Sequence, residues 1–460
     1  MTENENPRQK SPVNLRSWTS GSLAGNLWSL AWPMTINNTI AAIGPTIDMI
    51  WVGRLGASAI AGVGVAGMAV MVVNALIFGL FIGSSALIAR YFGARNLEMA
   101  NRMAHQAFLI GLLFSIVMAL VGIFFAGPIL VLMGVDASVV PQGTAYLRIQ
   151  LIGMFSMIGV TVAQSIMQAS GDSKTPLYIS FGYRLLQVAL CPLLVFGWWI
   201  FPRLEVSGAA LSSVITQGSG CVLAIWLLLK GRSNLPLSFK NFRFEPDLAW
   251  RALKIGFPAS ITFMERALAE LVMVRFIAPF GTVAVAAQSL TQRIDQFIQN
   301  LAGGFGTASG VLGGQSLGAG QPQRAEKTGW LAVGLASLIC LVCSAIVWFW
   351  IEPILRLFTG NDDLLQISAS FLRIQIASYV VWGLVVVISL FLNGIGDTIF
   401  PMFVNLFTIW VIQIGLAYVL PLYTPLGVYG IRWAVVAGIL VRAVVYPLYY
   451  QSGRWKTKKV

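Results

Sequence analysis

Long apolar runs recur along the whole chain, and they limit its fold more than any other feature of the sequence. A run of about 20 such residues crosses the hydrocarbon core of a bilayer as an α-helix. Charged residues make up only 10% of the chain, against about 25% in soluble domains. We therefore predict an all-α integral membrane protein. Its twelve predicted transmembrane helices are residues 24–50, 60–88, 103–126, 143–169, 176–200, 207–229, 252–277, 284–313, 328–350, 367–392, 400–420 and 427–450.

Basic residues are concentrated in alternate loops between these spans. Twelve spans place both termini on one side, which collects most of the Lys and Arg, whereas the loops of the other side have little beyond Arg54, Arg203 and Arg356. Because cytoplasmic loops are enriched in Lys and Arg, both termini are predicted to be cytoplasmic. The net charge of +13 does not indicate a nucleic-acid partner, since the basic residues form no groove or patch with interleaved aromatic side chains.

The two halves of the chain repeat each other at a constant offset of 225 residues. At this offset Pro33 meets Pro258, and the motif YLRIQ meets FLRIQ. Six spans in each half relate the two lobes by a pseudo-two-fold axis along the membrane normal, with a cavity between them. We divide the chain into a cytoplasmic leader (1–22), an N-lobe of helices 1–6 (23–230), a cytoplasmic linker (231–251), a C-lobe of helices 7–12 (252–450) and a basic cytoplasmic tail (451–460).

Motifs in both halves resemble those of the multidrug and toxic compound extrusion (MATE) family. They are LAWPM and IDMIWVGRLG in the first span, the loops ARYFGARNLEMANR and GGQSLGAGQPQRAEK, and the pair QASGDSKTP and LNGIGDTIFP. The resemblance covers the chain after the leader. It implies a secondary antiporter of two six-helix lobes that exports organic cations and amphiphiles against Na⁺ or H⁺. A bacterial-type inner membrane, a monomer and no cofactor are expected with it.

Asp48 in the first span is the main candidate for ion coupling. A carboxylate at that depth is costly in a bilayer, and the resemblance assigns the coupling role to an Asp in this context. Helical spacing places Asn37, Ala41 and Gly44 on the same face as Asp48. Pro45 should bend the helix and free a carbonyl near the acid. The alternative is an interfacial Asp that ends the helix in water.

The fifth span departs from the pattern that the family resemblance predicts. Many members of the family carry Asn-x3-Asp-Pro there, whereas this chain has Gln187 and Cys191 at the Asn and Asp positions. Arg184 is a candidate to compensate the charge of Asp48, and a permanent pair would prevent coupling. We expect Asn37, Gln187 and Arg184 to surround Asp48. This set favours a single proton at Asp48, with Na⁺ as the alternative ion and no dedicated metal site.

Spans seven and eight contain a second group of polar residues at membrane depth. Glu270 lies four residues from Arg266, so a structural ion pair is expected, and Glu265 is the better functional candidate. Span eight carries Gln at i, i+4 and i+11, which predicts a polar face that lines an aqueous path or forms interhelical hydrogen bonds. The residues predicted to line the substrate cavity are Glu265, Glu270, Gln288, Gln292, Asp295, Gln296 and Gln164.

Three other functions are alternatives to the antiporter. A lipid-linked oligosaccharide flippase of related architecture would need a cationic cavity, for which five arginines at membrane depth qualify: Arg184, Arg266, Arg275, Arg293 and Arg442. An enzyme is disfavoured, because the chain has one His and neither HExxH nor GxSxG. The sequence also has no filter-like loop of a channel and no GxxxxGK[ST] phosphate loop for ATP.

Overall fold

The computed structural model describes residues 18–133, 139–198, 201–238 and 242–458, apart from the side chain of Ala57. Most of the predicted leader and the last two residues of the predicted tail lie outside this part of the chain. The regular elements of the described residues are helices. The α-helices are α1 (Leu23–Val52), α2 (Ala57–Gly93), α3 (Leu97–Leu132), α4 (Val140–Ile152), α5 (Met154–Ala169), α6 (Lys174–Phe196), α7 (Glu205–Leu229), α8 (Pro246–Ile277), α9 (Thr282–Gly318), α10 (Pro322–Phe349), α11 (Ile351–Arg356), α12 (Asp362–Gly394), α13 (Ile399–Leu406), α14 (Ile414–Tyr423) and α15 (Val428–Ser452).

These helices form the twelve predicted spans, ten of which are single α-helices. The fourth span is broken at Gly153, where α4 and α5 meet at an angle of 44°. In the eleventh span a π-helix, Phe407–Gln413, joins α13 to α14. The short α11 lies between the ninth and tenth spans. The prediction of an all-α membrane fold with two six-helix lobes is confirmed.

Three of the twelve spans differ from the others in polarity. Within the described part of the chain, eight helices are long and apolar enough to cross a membrane, or nine when the bent pair α4–α5 is taken as one. The helices α1, α8 and α9 are also long, with 30, 32 and 37 residues, but they carry Asp48, Glu265 and the Gln-rich face of span eight. The candidate site residues are therefore concentrated in the helices that suit lipid least.

The repeat in the sequence is also a repeat in the backbone. A 3₁₀ turn follows α1 at Gly53–Leu55 and α8 at Ala278–Phe280. The next glycine has a positive φ in each half, 118° at Gly56 and 98° at Gly281, a conformation that glycine adopts without strain. The helices that follow, α2 and α9, both have 37 residues. Each of these features recurs at the offset of 225 residues.

The first helix belongs to both lobes. Its second half packs into the N-lobe core through Ile47 and Val52. Its first half packs into the C-lobe core, through Leu27, Leu30 and Met34. The helix that carries Asp48 thus connects the cores of the two lobes.

The lobes are joined at the face where residues 18 and 458 lie, which we call the terminal face. A Cβ on Gly93 of α2 would lie 2.0 Å from the carbonyl oxygen of Gln315 in α9, so the helices touch there through backbone. The Gln315 side chain donates to the Ala169 carbonyl across the lobes at 2.8 Å. Among the described residues, interlobe hydrogen bonds extend from this face to the middle of the bundle, at Thr35 and Leu301. The two lobes are therefore closed at the terminal face.

Candidate functional site

Asp48 is buried inside the N-lobe, with 2% of its surface exposed. Helices α1, α4, α6 and α7 converge on it. The Gln187 amide donates to Oδ1 at 2.9 Å, and the hydroxyls of Ser213 and Tyr146 donate to Oδ2 at 2.9 and 3.2 Å. These three donors satisfy an ionised carboxylate by charge-assisted hydrogen bonds. The alternative of an interfacial Asp in water is wrong, because the carboxylate lies among four helices.

Cys191 completes what we call the Asp48 cluster, which consists of Asp48, Tyr146, Gln187, Cys191 and Ser213. The cysteine is fully buried, and its Sγ lies 3.9 Å from Asp48 Oδ1. A thiol there is a weak donor and brings no second negative charge. In the part of the chain that the structure describes, no group of three His, Cys, Asp or Glu residues could hold a metal ion.

Arg184 reaches Asp48 only through Gln187. Its Nη1 donates to Gln187 Oε1 at 2.5 Å and its Nη2 donates to the Ala41 carbonyl at 3.1 Å. Among the described residues no direct ion pair joins Arg184 to Asp48, so the permanent pair that would prevent coupling is not formed, while the charge of Arg184 acts on Asp48 from beyond Gln187. The positive charge is near the acid but does not cover it.

Two residues of α1, Gly44 and Pro45, determine where this guanidinium lies. Pro45 has no N–H, so the carbonyl of Ala41 four residues earlier loses its helical donor. Arg184 donates to that carbonyl instead. The predicted freed carbonyl near Pro45 is therefore present. A Cβ on Gly44 would lie 2.0 Å from Arg184 Nη1. Any larger residue at that position would displace the guanidinium.

Two predicted N-lobe residues lie outside the Asp48 cluster. Asn37 precedes Asp48 by eleven residues on α1, about 16 Å along the axis, which is too far to share an ion. Its amide oxygen is buried and has no hydrogen-bond partner among the described residues. Gln164 joins α5 to α6 by donating to Ser180 Oγ at 2.9 Å. It serves the packing of these helices and makes no described contact with Asp48.

The acidic residues of α8 have different surroundings. Arg266 Nε lies 3.9 Å from Glu270 Oε1, as the spacing predicted. Arg266 also donates to Gln299 in α9 at 2.7 Å. Glu265 is 3% exposed, and neither of its carboxylate oxygens has a hydrogen-bond partner in the described residues. Glu265 is thus a buried acid of the C-lobe whose carboxylate has no described hydrogen bond.

The polar face of α9 is divided between two environments. Gln288 and Gln292 are half-buried, and Gln292 lies beside Glu270, whereas Gln296 is exposed. Asp295 is instead held by Arg432 of α15, with Nη1 to Oδ2 at 3.1 Å, and by the hydroxyl of Tyr379 in α12. Asp295 is therefore part of a buried ion pair that fastens three helices of the C-lobe.

Some residues of the site could not be found by sequence reasoning. Tyr146 and Ser213 are 98 and 165 residues from Asp48. Tyr146 begins the repeated motif YLRIQ, which was a usable signal, but Ser213 stands in an ordinary small-residue stretch. At the position equivalent to Asp48 in the C-lobe, Met273 packs in an apolar cluster. The buried carboxylate with three donors is thus a feature of the N-lobe.

The comparison with known proteins decides the family. The family model described as MatE matches residues 33–193 and 258–419, one segment in each lobe. The chain belongs to the MATE family. It is a multi-pass membrane protein and an efflux transporter, and not an enzyme, because members of this family are transporters.

Individual relatives agree with this assignment. The probable multidrug resistance protein YoeA of Bacillus subtilis (strain 168) is 28% identical over 434 residues, which are 93% of each chain. A MOP superfamily transporter from Pyrococcus furiosus, described as having a binding pocket of reverse polarity, superposes with a TM-score of 0.91 at 22% identity and covers 98% of this chain and 100% of its own. A MATE family transporter in an outward-facing conformation superposes with a TM-score of 0.89 at 23% sequence identity. The superposition covers 96% of this chain and 98% of that transporter. These comparisons lend no support to the flippase hypothesis.

Proposed function

We propose that this MATE transporter is a secondary antiporter that exports organic cations or amphiphilic drugs in exchange for protons, with Asp48 as the coupling residue. The observation that carries the proposal is the Asp48 carboxylate, buried among four helices and hydrogen-bonded by three donors. A buried acid inside a membrane domain is the usual element of a proton relay. The cluster presents hydrogen-bond donors to the carboxylate, which is the arrangement of a proton site and not of a metal cage.

Protonation would change the cluster in a definite way. The ionised carboxylate accepts strong charge-assisted hydrogen bonds, whereas the neutral carboxyl carries an O–H donor and accepts more weakly, so protonation weakens the contacts of all three donors with Asp48. Tyr146 makes the longest of the three hydrogen bonds, at 3.2 Å, and this contact is the first to loosen. Because α1 packs into both lobe cores, a shift of its second half is passed to the C-lobe. Proton binding at Asp48 is thereby linked to the relative position of the lobes.

The substrate side of the cycle is assigned to the cavity between the lobes. Glu265 and Glu270 of α8 place carboxyl groups at membrane depth, and a carboxylate formed there attracts an organic cation where the effective dielectric is low. Closure at the terminal face corresponds to an outward-facing state if both termini are cytoplasmic, the orientation that the Lys and Arg distribution favours. We further propose that the transporter works as a monomer in a bacterial-type inner membrane.

The decisive experiment measures efflux of a cationic dye from proteoliposomes under separate H⁺ and Na⁺ gradients. Asp48→Asn should reduce proton-driven efflux at least about tenfold, since the proton-binding group is lost. Asp363→Asn is the matched control, because Asp363 is an exposed carboxylate at the start of α12, and it should transport normally. Normal proton-driven efflux by Asp48→Asn would refute the assignment.

A further inference from the structure

Arg184 occupies a place that several elements of the N-lobe build for it. Its guanidinium fills the space left by Gly44, where a Cβ would lie 2.0 Å from Nη1. It is bonded to the Ala41 carbonyl freed by Pro45, at 3.1 Å, and stacks at 5.1 Å from the ring centroid of Tyr183. A side chain held by a proline, a glycine and an aromatic ring has one favoured position.

That position fixes the orientation of the Gln187 side chain. A guanidinium has donors and no acceptor, so the group that faces Arg184 Nη1 at 2.5 Å must be the oxygen of the amide. The NH₂ group of Gln187 is then forced to face Asp48 and Ser213, at 2.9 and 2.8 Å. Turning the amide over would place its NH₂ against the guanidinium, donor against donor.

This orientation decides which cation the cluster accepts. Hard cations such as Na⁺ are bound by several oxygen ligands. Asp48, Tyr146 and Ser213 have oxygens at the cluster, but the Gln187 oxygen points to Arg184 and away from Asp48. The thiol of Cys191 adds no oxygen, and the nearby guanidinium repels a second cation. A proton needs a single carboxylate oxygen and meets none of these obstacles.

We propose that Arg184 is a positioning residue that makes the Asp48 cluster select protons against Na⁺, by holding the Gln187 oxygen away from Asp48. This inference rests on the proposed coupling role of Asp48. Without the guanidinium, Gln187 can turn its oxygen toward Asp48, and the cluster then has four residues with oxygen ligands for Na⁺. Arg184 acts through Gln187 and does not itself bind the coupling ion.

The test measures Na⁺ binding directly, without transport. The melting temperature of the purified protein is recorded in NaCl and in choline chloride at equal ionic strength and neutral pH. Wild type should melt alike in both salts. Arg184→Met should show a saturable stabilisation specific to Na⁺, half-maximal at a concentration at least about tenfold below any response of wild type. Gly44→Ala should do the same, because its methyl group displaces the guanidinium from Gln187.

Two control variants are matched to these changes. Arg148→Met removes an exposed arginine from the neighbouring α4. Gly182→Ala adds a methyl group to α6 where, apart from the helix backbone and the adjacent residues, no described atom lies within 4 Å of the new Cβ. Both should resemble wild type, and Arg184→Lys, which keeps the charge and the donors, should also remain insensitive to Na⁺. Adding Asp48→Asn to Arg184→Met should abolish the Na⁺ response.

The proposal is overturned if wild type and Arg184→Met respond to Na⁺ equally. It is also overturned if neither Arg184→Met nor Gly44→Ala responds. Should Arg184→Met fail to fold, Gly44→Ala alone decides the question, since its change is a single methyl group. A failure of the proposed function is distinguishable, because it would appear as normal proton-driven efflux by Asp48→Asn, whatever the melting experiment gives.

Discussion

At the scale of residues, the Asp48 cluster shows how a charge becomes stable inside a lobe. Ser213 has two roles there: its hydroxyl donates to Asp48 at 2.9 Å and accepts from Gln187 at 2.8 Å. The neighbouring Ser212 is also buried, but its hydroxyl donates to the Ala209 carbonyl of its own helix at 2.8 Å and contacts Cys191, not the carboxylate. Of these two adjacent serines, Ser213 alone bonds the carboxylate.

This difference gives a prediction for stability. Ser213→Ala removes a hydrogen bond to a charged group and should lower the free energy of unfolding by about 1.5–3 kcal/mol. Ser212→Ala removes a hydrogen bond to a carbonyl of the same helix, which contributes little to helix stability. It should therefore lower the free energy of unfolding clearly less than Ser213→Ala. Both are measured by thermal unfolding in detergent, followed by tryptophan fluorescence. In the background Asp48→Asn the cost of Ser213→Ala should shrink, and an unchanged cost would contradict the hydrogen bond to the carboxylate.

The residue scale is also where the sequence was least predictive. Asp48, Gln187 and Cys191 could be found because they stand at positions that the family resemblance marks. The carbonyl that Arg184 bonds could be predicted in part, because Pro45 in the sequence of α1 indicates a carbonyl without its helical donor. Ser213 could not be found, because a serine on one helix says nothing of a carboxylate 165 residues away. Asn37 was misjudged because sharing a helix face does not mean sharing a site.

At the scale of elements, twelve apolar runs predicted the spans, but their internal breaks left no signal. The π-helix at Phe407–Gln413 lies in FTIWVIQ, and apolar side chains suit lipid in either kind of helix. The tail was predicted only to be basic and cytoplasmic, with no packed structure assigned to it. Instead Trp455 is fully buried, stacked at 5.1 Å on Tyr450 and edge-on at 5.2 Å to Phe391. One aromatic residue among lysines thus turns the tail into packed structure.

The packed tail predicts a large effect of one substitution. Trp455→Ala should lower the free energy of unfolding by about 3–5 kcal/mol, the usual cost of truncating a buried tryptophan. It should also loosen the Lys456–Glu326 pair and the bond from Arg90 to the Lys458 carbonyl, at 2.7 and 3.0 Å. The matched control is Trp433→Ala, at a site 43% exposed. Equal melting temperatures for the two variants would show that the tail is not anchored by Trp455.

At the scale of the whole molecule, the lobes are closed at the terminal face, and helix α1 packs into the cores of both lobes. This arrangement is one conformational state of a two-lobed transporter. Glycines bring α2 and α9 into backbone contact there, at Gly93 and Gly318. Small residues at helix interfaces permit such approach and also permit separation, since few side chains interlock. If transport alternates between two arrangements of the lobes, this face must open during each cycle.

A cross-link across the terminal face tests that requirement. A Cβ on Gly314 would lie 3.1 Å from the Cβ of Ala89, so a small shift brings it into the range of about 3.5–4.5 Å that a disulfide needs. The double variant Ala89→Cys, Gly314→Cys should therefore oxidise readily. Dye efflux should fall to background when the bond forms and return on reduction, while each single variant transports under both conditions. Full efflux by the oxidised double variant would mean that the lobes need not separate at this face, and alternating access through it would have to be abandoned.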